Sequence, residues 1–118
     1  MKFRARHLLL SALLLCLFQS SSARAWDPLQ KARRAAEKAG EKLKQGDSKA
    51  AIENYARAQA YRPQDPDYRM GMGEALYADG DLKGAMSQFL AASSSDDPQQ
   101  DQQALYNAGN VALAKKDP

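Results

Sequence analysis

The feature that most constrains this chain is a segment that returns 34 residues later in recognisable form. The segment Lys44–Asp65 reads KQGDSKAAIENYARAQAYRPQD, and its small and aromatic positions recur at one fixed offset. The matched pairs are Gly46 with Gly80, Asp47 with Asp81, Ala51 with Ala85, Tyr55 with Phe89, and Ala58 with Ala92. An internal repeat of this period predicts a chain built from stacked copies of one supersecondary unit.

The period and the residue types at these positions resemble those of the tetratricopeptide repeat, a helix-turn-helix unit. In the first unit the matching residues are Ala39, Gly46, Asp47, Ala51, Ile52, Tyr55, Ala58 and Pro63. In the second they are Gly73, Tyr77, Gly80, Asp81, Ala85, Met86, Phe89 and Ala92. A third unit begins as LYNAGNVAL, at Leu105–Leu113. The resemblance implies an all-α, right-handed solenoid of about two and a half repeats.

Helical periodicity and capping signals predict five helices in three units, at about 32–65, 66–99 and a partial 100–118. The predicted helices are Pro28–Gln45, Ser48–Tyr61, Tyr68–Ala78, Leu82–Ser93 and Gln99–Lys115. In the first two, the residues expected to face the core are Leu29, Ala32, Ala36, Ala39, Leu43, Ala51, Ile52, Tyr55 and Ala58. In the other three they are Met72, Gly73, Leu76, Ala85, Met86, Phe89, Ala92, Leu105, Ala108, Val111 and Ala112. The spacing from Gly73 to Gly109 is 36 residues, so two extra residues form either a longer loop or an added first turn of the fifth helix, and the third unit follows the repeat less closely.

The first 25 residues have the pattern of a cleavable secretory signal. A basic start precedes an apolar run from Leu8 to Phe18, and small residues follow at Ala23 and Ala25. The apolar run is too short for the roughly 20 residues that span a bilayer, which argues against an uncleaved anchor. Cys16 follows Leu15 rather than a small residue, so we interpret it as part of the apolar run and not as a lipid-attachment site. We expect cleavage before Trp26, a domain at 26–118 and a periplasmic location in a bacterium.

Removal of this signal changes the charge and the available chemistry. The chain has 17 basic and 14 acidic residues, but 13 and 14 remain after residue 25. The basic isoelectric point is therefore no argument for a nucleic-acid or lipid partner. The only histidine (His7) and the only cysteine (Cys16) also lie in the signal, so the predicted domain lacks the usual metal ligands and nucleophiles. We expect no cofactor, no metal and no catalytic residue, although carboxylate chemistry stays formally open.

The resemblance also implies a binding surface, because the first helix of each pair lines the concave groove in tetratricopeptide stacks. The groove residues expected here are Leu43, Met70, Glu74, Tyr77, Asn107, Asn110 and Leu113. An alternative for Met70, Tyr77 and Leu113 is packing between neighbouring helices. Together, methionine and tyrosine edged by amides and a carboxylate suit adaptable recognition of an extended peptide or a partner helix.

Two subsets of the family differ in the residues that they carry. The carboxylate-clamp subset is disfavoured, because Ala36 and Gly40 stand where its lysine and asparagine are expected. The segment DDPQQDQQALYNAGN, Asp96–Asn110, resembles a join found in tetratricopeptide members of the Bat aerotolerance group. That resemblance implies a membrane-tethered von Willebrand A-type protein as partner.

The sequence predicts a non-catalytic protein-interaction scaffold as its main function. The alternative is a structural module that assembles a complex through its last helix, which has no predicted second helix to pair with. In that case we expect weak self-association through partly uncovered Leu105 and Val111, unless the sequence is part of a longer repeat protein.

Overall fold

The computed structural model describes residues 27–116, and these residues form five α-helices without a strand. The helices are α1 (Pro28–Lys44), α2 (Ser48–Tyr61), α3 (Pro66–Asp79), α4 (Leu82–Ala92) and α5 (Pro98–Lys116). The all-α fold class is confirmed, and the bounds of α2 match the prediction. The expected signal and cleavage position lie outside the described residues. None of the helices within 27–116 combines the length and apolar composition needed to cross a bilayer.

An aspartate precedes every helix and caps it. The carboxylates of Asp27, Asp47, Asp65, Asp81 and Asp97 accept hydrogen bonds from backbone N–H groups of the following first turns, at 2.9–3.1 Å. A side-chain acceptor at this position satisfies a donor that the helix itself leaves unpaired. Three of these aspartates are followed by a proline at the first helical position, where a missing N–H costs nothing. Accordingly α3 and α5 begin at Pro66 and Pro98, earlier than predicted.

The turn inside each complete unit is built by one glycine and one aspartate. Gly46 and Gly80 have φ angles of 81° and 87°, a left-handed conformation that glycine adopts without steric cost. The next N–H groups, of Asp47 and Asp81, donate back to Lys42 O and Leu76 O, both at 2.9 Å. This pattern is the Schellman motif. Because the same aspartate then caps the next helix, the chain reverses within three residues in the first unit and two in the second.

The helices pack in chain order, each against the next, and α3 also contacts α1 and α5. Two clusters of buried side chains result. The first contains Ala39, Ala51, Tyr55, Met72 and Ala75. The second contains Met70, Ala85, Phe89, Ala92, Ala104, Ala108 and Val111. Leu76 of α3 packs against both clusters, so α3 is the shared layer of the solenoid.

Glycines on α3 accommodate an aromatic ring on each side of that layer. A Cβ on Gly73 would lie 2.6 Å from Cε1 of Phe89, and a Cβ on Gly71 would clash with the ring of Tyr55. Tyr55 belongs to the preceding unit, whereas Phe89 belongs to the same unit as α3. The sequence placed Gly73 at the core, but it gave no indication of the role of Gly71.

Three core predictions on the outer helices were wrong. Leu29 of α1 is 54% exposed, and on α5 both Leu105 and Ala112 are exposed. The buried stripe of α5 is Ala104, Ala108 and Val111 instead. These residues are spaced i, i+4, i+7, and the small ones let α5 approach the ring of Phe89 closely. Val111 is fully buried, which also contradicts the expectation that it would be partly uncovered.

Candidate functional site

A pocket of about 500 Å³ lies between α3 and α5, with α4 beneath it. Its lining residues are Glu74, Tyr77, Phe89, Asn107, Asn110, Leu113 and Ala114. The volume is within the usual range of small ligand pockets. We call this pocket the α3–α5 groove.

The walls of the groove come from regular helical spacing. Glu74 and Tyr77 are three residues apart on α3, and Asn107, Asn110 and Leu113 follow one another at the same interval on α5. Side chains at i and i+3 share a helix face, so each helix presents one row of functional groups to the groove. The structure therefore brings together five of the seven residues predicted to line a groove.

The other two predicted residues lie elsewhere. Met70 is only 8% exposed and packs in the second core cluster with Phe89 and Val111. Leu43 is partly buried against the first cluster, which contains Ala39 and Tyr55. It occupies the position in the first unit that Tyr77 occupies in the second, 34 residues later.

The structure adds Phe89 and Ala114 to the groove. Phe89 is almost fully buried, yet its ring forms part of the pocket lining, because Gly73 lets the ring lie close to α3. The repeat contained a signal for this, since Phe89 stands where the first unit has Tyr55. Ala114 follows Asn110 by four residues, and that spacing also places it on the groove face of α5.

Glu74 is the only ionisable carboxylate among the lining residues. It is exposed by surface area, but the surrounding walls remove part of its hydration, which raises the pKa of its carboxyl group. Within residues 27–116, no side chain or backbone group forms a hydrogen bond or salt bridge with this carboxylate.

The charge of Glu74 also acts on the neighbouring unit. Burial is the main cause that raises the pKa of the Tyr55 hydroxyl, and the negative charge of Glu74 adds to it. The Tyr55 hydroxyl lies 3.7 Å from the position that a Cβ on Gly40 would occupy. Gly40 is the counterpart of Glu74 in the first unit, 34 residues earlier. The second unit therefore has a carboxylate at this repeat position, where the first unit has a glycine with the Tyr55 hydroxyl next to it.

The polar groups of the α3–α5 groove can form hydrogen bonds with a bound segment. These polar groups are two amides, one phenol and one carboxylate, and the described residues contain no cluster of three side chains able to hold a metal ion. Amides both donate and accept hydrogen bonds, which matches the needs of an extended peptide backbone. Phe89, Leu113 and Ala114 supply apolar contact surface.

A comparison with models of known protein families gave a match. A family model described as tetratricopeptide repeat matches residues 36–101, which is more than half of the chain. The matched region extends from α1 through α4 into the start of α5. No curated protein and no solved structure matched the chain significantly.

Proposed function

Since the chain belongs to the tetratricopeptide repeat family, we propose that it is a non-catalytic scaffold that holds an extended peptide or partner helix in its concave groove. Tetratricopeptide repeats generally mediate protein–protein interactions. The observation that carries the proposal is the α3–α5 groove, in which an aromatic ring, two amides and apolar side chains from different helices face one space.

The test uses crosslinking in intact cells, followed by mass spectrometry of the captured proteins. The double variant Tyr77→Ala/Asn110→Ala removes an anchor from each wall of the groove. Truncating one anchor typically costs about 2 kcal/mol or more, so we expect captured partner to fall by at least about thirtyfold.

The control variant is Glu53→Ala/Arg57→Ala, which changes two exposed residues of α2 outside the groove. Both double variants should keep the helicity and the unfolding midpoint of the wild type. If the groove variant captured as much partner as wild type and the α2 variant captured none, the binding surface would lie on the other face of the solenoid.

We also propose that the protein is exported to the bacterial periplasm after cleavage between Ala25 and Trp26. The support is the composition of residues 1–25, with a basic start, a short apolar run and small residues before the cut. Sequencing the amino terminus of the protein recovered from a periplasmic fraction tests this proposal. A protein that still begins at Met1, or a lipid on Cys16, would contradict it.

A membrane-tethered von Willebrand A-type protein is our first candidate partner. The support is the resemblance of Asp96–Asn110 to the join found in tetratricopeptide members of the Bat group. Asn107 and Asn110 of this segment lie in the groove, while Asp97 caps α5. Titration of a purified von Willebrand A-type domain with wild type and Tyr77→Ala/Asn110→Ala distinguishes groove binding from no binding.

A second candidate function is assembly through α5. The exposed fractions of Leu105, Tyr106 and Leu113 are 54%, 70% and 67%. Leu105 and Tyr106 are adjacent in the sequence and lie outside the groove, whereas Leu113 also lines it. Contiguous exposed apolar surface is commonly covered in protein complexes. This observation favours α5 as a contact surface for a second copy or another protein.

A further inference from the structure

We propose that the α3–α5 groove selects segments that carry a lysine or arginine side chain, with the cation placed on the carboxylate of Glu74. This inference rests on the proposed function, because it specifies the chemistry of the occupant of the same groove. The expected occupant is a basic segment of a protein partner, not an acidic or wholly apolar segment.

The first argument is that Glu74 has no cationic partner among the described residues. The two salt bridges found within residues 27–116 join Arg33 to Glu37 and Arg62 to Asp65. Glu74 lies apart from both, in a pocket whose other lining residues are all uncharged. Partial desolvation of an unpaired carboxylate is unfavourable, and its raised pKa reflects that cost. A bound cation would offset it.

The second argument is the chemistry of the groups around Glu74. The amide oxygens of Asn107 and Asn110 accept hydrogen bonds, as does the hydroxyl of Tyr77. Lysine and arginine carry only donors at their charged ends, so these acceptors match them. The aliphatic stem of either side chain fits against Leu113, Ala114 and the ring of Phe89.

The third argument is the distribution of charge along the solenoid. Residues 27–62 carry nine basic and five acidic groups, whereas residues 63–116 carry four basic and eight acidic groups. The groove belongs to the acidic part, because all its lining residues lie between Glu74 and Ala114. The net negative charge of this part favours encounter with a basic segment over an acidic one.

The experiment measures retention of the purified full chain on pools of immobilised short peptides. Each pool has one fixed central amino acid and randomised flanking residues, so the pools differ only in the central side chain. We compare wild type with Glu74→Gln and with the matched control Glu53→Gln. The control removes one negative charge from an exposed position outside the groove.

We expect wild type to prefer the lysine and arginine pools over the aspartate and glutamate pools by about 2–5-fold, in keeping with a partly exposed ion pair. The preference should decline as salt is added. In Glu74→Gln the ratio should approach one, and in Glu53→Gln it should stay at the wild-type value.

The outcomes separate this inference from the proposed function. Retention that depends on Tyr77 and Asn110, but shows no lysine or arginine preference, would overturn the inference and leave the groove function standing. A preference that survives in Glu74→Gln would overturn it as well. If every pool retained wild type no better than it retains Tyr77→Ala/Asn110→Ala, both the inference and the proposed groove function would be refuted.

Discussion

At the scale of single residues, the helix crossings of this solenoid depend on side chains that are small or missing. Gly73 leaves room for the ring of Phe89, and Ala51 is fully buried in the first cluster. Protein interiors are close-packed, so extra atoms at these positions displace their neighbours.

Replacing Ala51 or Gly73 with leucine should therefore destabilise the fold by roughly 1–3 kcal/mol through overpacking. Thermal unfolding followed by circular dichroism measures the effect. The control is Gly109→Ala, because a Cβ at Gly109 meets no atom within 4 Å. Alanine is the better helix former, so this variant should be neutral or slightly more stable. Midpoints unchanged in both leucine variants would refute the assigned contacts.

Glu74 gives a pH-dependent prediction. Its folded pKa is raised, so the folded state binds this proton more tightly than the unfolded state. Above the unfolded pKa of about 4.3, the ionised carboxylate therefore destabilises the fold. This destabilisation grows with pH until the pH exceeds the folded pKa. Glu74→Gln should raise the unfolding midpoint slightly at pH 7 and lose this advantage below about pH 4. The effect is small because solvent screens an exposed group.

The measurement is a series of thermal unfolding curves between acidic and neutral pH for Glu74→Gln and wild type. Glu53→Gln is the matched control for loss of one charge. A midpoint for Glu74→Gln that is lower than wild type at pH 7 would show that Glu74 forms a stabilising contact instead.

At the scale of helices, Arg69 ties the two units together. It lies in the first turn of α3, where Nε donates to Pro63 O (3.1 Å) and Nη2 to the Gln64 side chain (2.6 Å). Its Nη1 donates to Ala91 O near the end of α4, at 3.0 Å. One guanidinium thus joins the connection between the units to the last turn of the second unit.

Arg69→Lys should destabilise the protein by about 1–2 kcal/mol, because an ammonium group cannot reproduce the planar fork that serves three acceptors. Chemical denaturation with urea gives the free energy of unfolding. Arg57→Lys, a change at an exposed residue of α2, is the matched control and should have little effect. Equal stability of the two variants would mean that water replaces these hydrogen bonds without cost.

At the scale of the whole molecule, the solenoid presents two candidate contact surfaces, the α3–α5 groove and the exposed apolar side chains of α5. A protein with few contacts between distant units gains its stability from neighbouring layers. The last described layer, α5, packs on α4 and on α3 through its alanine and valine stripe. Outside this stripe, α5 exposes Leu105 and Tyr106.

We expect weak self-association through this side of α5. Sedimentation velocity over a range of concentrations should show a rising mean sedimentation coefficient for wild type. Leu105→Gln/Tyr106→Gln should abolish the rise, since burial of apolar surface drives such contacts. Leu90→Gln, at an exposed position on α4, is the control and should leave association unchanged. A monomer at every concentration would argue against assembly through α5.

The repeat, the five helices and the residues that start and end them follow from local sequence signals. Asp47, Gly46 and Pro66 act on backbone groups only a few residues away, so their effect is readable without tertiary structure. The resemblance to the tetratricopeptide repeat also implied Glu74 and Tyr77 as groove residues, because both lie on the first helix of their pair.

Three features emerged from tertiary packing instead, namely which face of α5 is buried, where Met70 packs and what surrounds Glu74. These outcomes depend on contacts between residues distant in sequence, and the longer connection before α5 weakens extrapolation from the repeat. The sequence pattern favoured the bulky Leu105, but close packing against Phe89 selects Ala104, Ala108 and Val111. The environment of Glu74 likewise arises from side chains on α4 and α5, whose approach is set by packing and not by local propensity.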